Sequence, residues 1–74
     1  MLEEMNPRTR RLLEEAQQGL RRAIRLGVGN ADDNATALGW VTFYLLEGRQ
    51  PSAEATEKGR RMLAHLRRRL PMES

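Results

Sequence analysis

The sequence contains no cysteine and a single histidine. A disulfide staple is excluded, and so is a zinc centre built from Cys and His. Aromatic residues are scarce: one tryptophan, one phenylalanine and one tyrosine. Long apolar runs are also missing. The most apolar stretch, residues 37–46, is ten positions long, against the roughly 20 that a membrane-spanning helix needs. The opening residues carry Glu3, Glu4 and Pro7 where a secretory leader would place basic and then apolar residues. A cytoplasmic protein is therefore expected. The motifs of enzyme chemistry are absent too. There is no phosphate-binding glycine loop before a Lys-Ser/Thr pair, no His-Glu-x-x-His and no nucleophile elbow. His65 lies among arginines, and Asp32 with Asp33 sits where a helix would be capped. The reading is a non-enzyme with no metal ion, cofactor or small-molecule substrate.

What is present is helical punctuation. Asn6 followed by Pro7 is a strong start signal, because Asn caps well and proline costs nothing at the first helical position. Leu13, Ala16, Leu20, Ala23, Ile24 and Gly27 then recur at helical spacing, with Leu12 beside them. The segment Gly27-Val28-Gly29-Asn30 ends that helix, predicted at about residues 7–27. Asn30, Asp32 and Asp33 all suit the start of a second helix, predicted at about 33–47 and closed by Gly48. Its Trp-Val-Thr-Phe-Tyr core has β propensity, but no second alternating segment exists to pair with a strand. Ser52 opens a third helix, predicted at about 53–70, whose apolar stripe is Ala55, Gly59, Met62, Leu63, Leu66 and Leu70. Glu54 with Lys58, and Glu57 with Arg61, are spaced as favourable i,i+4 pairs.

These elements predict an all-α domain of three helices in up-down-up order. It spans residues 1–74 with an ordered core over about 6–70; residues 1–5 and 71–74 are expected to fray, with loose packing at most for Leu2 and Met5. A chain of 74 residues buries only about 60% of its unfolded surface. Its core alone rarely supplies more than roughly 3–5 kcal/mol. With disulfide and zinc excluded, association remains as the staple.

All three aromatics fall in the second helix, as Trp40, Phe43 and Tyr44. On a helical wheel Leu38, Val41, Thr42 and Leu45 share one face, and Trp40 and Phe43 the other, with Tyr44 and Leu46 flanking. A helix apolar on all sides is expected to be covered on all sides. That places it between the other two helices, with surplus aromatic surface for a subunit or partner interface. Trp40, Phe43 and Tyr44 are the expected anchors, since aromatics dominate interface hot spots. Gly19 and Gly59 lie on or beside the apolar stripes of the outer helices, where close helix approach would justify them.

Twelve of the thirteen basic residues are arginine, and the net charge is +3. Arg21, Arg22 and Arg25 give the first helix a cationic end, and Arg60, Arg61, Arg67 and Arg68 do the same for the third. The aromatics are not interleaved with them, which disfavours stacking on single-stranded nucleic acid.

One resemblance adds to this reading. Glu15-Ala16 with Ala23-Ile24, then Leu38-Gly39, Gly48 and Glu54-Ala55, resembles the tetratricopeptide-type helical repeat over about residues 14–66. Leu38-Gly39 stands where that family has a tight-packing pair, although Trp40 follows the pair instead of preceding it. The resemblance implies about one and a half repeats and a protein-binding scaffold or chaperone. Such arrays need about three repeats to bury a continuous core, so it also implies association. The expected function is a protein–protein interaction module: an adaptor, small chaperone or assembly subunit, self-associating as a homo-oligomer or docking on another chain. The alternative is a small nucleic-acid-associated protein using the arginine faces.

Overall fold

A computed structural model describes residues 4–71 as three helices: α1 (Pro7–Leu26), α2 (Ala31–Glu47) and α3 (Ala53–Arg69). The capping residues read from the sequence set the boundaries. The Asn6 side chain accepts from the Thr9 backbone N–H at 2.8 Å, with Pro7 behind it. Asn30 accepts from the Asp33 N–H at 3.0 Å, so α2 begins two residues before the sequence-based expectation. Ser52 accepts from the Ala55 N–H at 3.1 Å. Gly27 and Gly48 close α1 and α2 at φ 70°, a left-handed conformation that glycine adopts without a Cβ penalty.

The expected stacking order is corrected. α1 packs against both α2 and α3, and among the described residues no Cα of α2 lies within 8 Å of one in α3. The central helix is therefore α1, and α2 is a flank. The reason lies in the α1 stripe. Leu13, Ala16, Leu20 and Ala23 are all buried, and the alternation of leucine with alanine lets two neighbours approach one helix closely. α3 runs parallel to α1. A Cβ at Gly19 would lie 3.3 Å from the Leu66 side chain, and one at Gly59 would lie 3.9 Å from Leu12 and Leu13. Gly19 thus serves the close approach of α1 and α3, whereas a Cβ at Gly59 would make an ordinary van der Waals contact in the same seam. α2 returns antiparallel, with the Gln17 amide donating to the Thr42 hydroxyl at 3.2 Å.

The segment ahead of α1 is more firmly held than its predicted fraying allows. The Met5 N–H donates to the Gly48 carbonyl at 2.8 Å, and Glu4 pairs with Arg49 as an isolated antiparallel bridge. Met5 is only 8% exposed and joins the core formed by Leu13, Ala16, Leu20, Ala23, Val41 and Leu66. Gln50 ties the α2–α3 connection to the same end. It accepts from the Asn6 N–H and donates to the buried Thr9 hydroxyl, both at 2.9 Å. Leu2, a second residue expected to pack loosely, lies outside the described residues.

Candidate functional site

Of the seventeen residues of α2, only Val41 is buried. Val41 points its methyl groups into the core, while Ala37, Leu38, Trp40, Tyr44 and Leu45 pack partly against it. The expectation that α2 is covered all round fails, because a flanking helix receives one neighbour and not two. Its outer side remains in solvent. Phe43 is 54% exposed and Leu46 is 83% exposed. Ala35 and Gly39 are exposed on the same side, as their spacing from Phe43 and Leu46 dictates.

The three expected anchors form one ring ladder. Trp40 meets Tyr44 edge-on with centroids 4.9 Å apart, and Tyr44 meets Phe43 edge-on at 5.6 Å. Edge contacts at these separations are the favourable geometry for aromatic quadrupoles. The structure gives the three different surroundings. Trp40 and Tyr44 are half-buried against the core, and Phe43 projects outward. Trp40 also lines a groove of about 500 Å³ between α2 and α3, opposite Gly59 and Met62, with Asp33 and Lys58 in its walls. That groove exists because the backbones of α2 and α3 stay more than 8 Å apart. Leu46 and Gly39 were missed as site residues by sequence reasoning. The i, i+3, i+4, i+7 relation of Gly39, Thr42, Phe43 and Leu46 was the available signal.

The basic residues are redistributed. Arg21 and Arg25 are exposed near the end of α1 and Arg22 is half-buried there. Arg61 pairs with Glu57 at 3.7 Å as the spacing predicts. Arg67 pairs with Glu15 across the α1–α3 seam, and Arg68 is exposed beyond it. The structure groups Arg60 and Arg67 with Arg8 and Arg11 around one groove of about 320 Å³ between α1 and α3. Sequence reasoning did not single out Arg8 or Arg11, whose positions opposite α3 depend on the parallel packing of the two helices. α2 itself holds no lysine or arginine; its charges are Asp32, Asp33 and Glu47. Among the described residues no three His, Asp or Glu side chains are placed to hold a metal ion, and no helix is long and apolar enough to cross a membrane.

No protein-family model matches the chain, and neither a curated protein nor a solved structure does. The geometry therefore carries the functional reading by itself.

Proposed function

We propose that this chain is a non-enzymatic protein–protein interaction module that docks through the outer face of α2. The observation that supports this is the combination of an uncharged helix middle with Phe43 and Leu46 more than half exposed. Burying one such side chain is worth roughly 1.5–3 kcal/mol, a large share of the margin of so small a domain. The ring ladder stiffens the anchor: Phe43 leans on Tyr44, and Tyr44 on Trp40, so little side-chain freedom remains to be lost on docking. Such a surface suits a role as adaptor, small chaperone or assembly subunit. In this reading the tetratricopeptide-like residues belong to a scaffold completed by association.

The test is affinity capture from the native host with the whole chain, against Phe43→Glu and Leu46→Glu. Both positions are exposed, so both variants should retain the helical circular dichroism of the parent. Loss of every specific association in both variants is expected. Association of any kind that is indifferent to both substitutions would refute the reading.

A second reading is favoured by the grouping of Arg8, Arg11, Arg60 and Arg67 on one groove. Glu15 shares the groove and pairs with Arg67, which leaves Arg8, Arg11 and Arg60 to suit a polyanion, and binding by phosphate neutralisation falls steeply with salt. Titration against duplex and single-stranded DNA at two salt concentrations checks it. Tight, salt-sensitive binding that is lost in Arg8→Ala with Arg60→Ala would support a nucleic-acid-associated role. No binding at low salt would remove it.

A further inference from the structure

We infer that the occupant of the outer α2 face is a second copy of this chain, paired antiparallel about a twofold axis between Gly39 and Phe43. This rests on the reading of that face as an interaction surface, and names its partner.

The first observation is Gly39. It sits in the interior of α2, where glycine costs up to about 1 kcal/mol relative to alanine. Of the other two interior glycines, Gly19 is explained by Leu66, whose side chain lies 3.3 Å from where a Cβ would stand, and Gly59 faces Leu12 and Leu13 inside the α1–α3 seam at 3.9 Å, an ordinary contact distance. At Gly39 a Cβ would meet nothing within 4 Å. Nothing inside the monomer therefore requires the absence of a side chain, and the glycine leaves a notch on the exposed surface. One turn away stands Phe43, more than half exposed. Knob and notch lie on the same face at a separation of one turn. An antiparallel copy brings each Phe43 over the Gly39 of the other, and each Leu46 over Ala35 or Thr36.

The second observation is charge. The same register brings Arg49, just beyond α2, to the end of the copy's helix that carries Asp32 on the outer face, and does so at both ends. Arg49 is already drawn alongside α2 by Glu47, at 3.6 Å. The apolar middle, residues 34–46, holds no charge to be desolvated. α2 is also the one helix without lysine or arginine. Contact through α2 therefore turns the arginine faces of both copies outward, away from each other. A single helix pair about 25 Å long falls at the low end of specific interfaces. The dimer is accordingly concentration-dependent.

Sedimentation velocity on the whole chain is the test. Wild type is expected to be largely dimeric at about 100 μM and to dissociate on dilution, and Gly39→Leu should weaken association by about tenfold or more. The Gly39→Leu helix has open space and better propensity, so its melting temperature at low concentration should equal or exceed that of wild type. Arg49→Glu and Asp32→Arg should each fail to self-associate, yet a mixture of the two should form a heterodimer, because each supplies the charge that the other lacks. A wild type that stays monomeric over the whole range, a Gly39→Leu that dimerises normally, or a mixture that does not associate would each overturn the inference. Loss of self-association with Phe43-dependent capture of another protein intact would leave the docking face standing and remove only its named partner.

Discussion

Gly39 and Gly27 are both glycines at the surface, yet their substitutions should act in opposite directions. Gly39 has helical backbone and empty surroundings. Gly39→Ala should raise the stability of the monomer by up to about 1 kcal/mol through helix propensity. Gly27 adopts φ 70° and its N–H caps the carbonyls of Ala23 and Ile24. Gly27→Ala should lower stability by about 1 kcal/mol, because the Cβ opposes the left-handed conformation. Thermal melts of the two variants at low concentration check both signs. Gln50 is the polar counterpart. It serves the Asn6 N–H and the buried Thr9 hydroxyl together. Gln50→Ala should cost about 1–3 kcal/mol, since it leaves a buried hydroxyl without its donor. Urea denaturation measures that loss, and an unchanged midpoint would show that water replaces the amide.

At the scale of elements, the helices were legible because their ends carry side chains with local consequences. Asn6, Asn30, Ser52, Gly27 and Gly48 act within four residues of themselves, and a sequence displays such spacing directly. The stacking order was not legible, because it depends on which stripe admits two neighbours. The α2 sequence is the most apolar and suggested the centre. The α1 stripe, with Ala16 and Ala23 between Leu13 and Leu20, takes it instead. That single exchange explains why Phe43 and Leu46 lie outside, why Trp40 borders an open groove, and why Arg8 and Arg11 join Arg60 and Arg67. The candidate face was thus half readable. Residue type alone pointed to Trp40, Phe43 and Tyr44 as candidates, whereas which side of α2 meets solvent emerged only once α2 became a flank. The segment before α1 was the other surprise. Met5 reaches the core by pairing its N–H with Gly48, a contact more than forty positions away along the chain. Met5→Ala should destabilise the domain by about 2 kcal/mol or more, measurable as a drop in the denaturation midpoint. A frayed terminus would give no change.

For the whole molecule the decisive property is the segregation of charge and apolar surface. α1 and α3 carry eleven of the twelve arginines, Arg49 follows α2, and α2 carries an uncharged aromatic middle between acidic ends. A domain of this size has little stability to spare, and anything that covers α2 in the folded state alone raises it by mass action. The melting temperature should therefore climb with protein concentration in wild type and much less in Phe43→Glu. The most direct measurement is hydroxyl-radical footprinting of Phe43 and Leu46 across a concentration series, with Met62 of α3 as internal reference. The account predicts strong labelling of Phe43 and Leu46 in dilute protein and progressive protection as concentration rises, in step with dimer formation. Equal labelling at every concentration, with and without proteins of the native host, would contradict it.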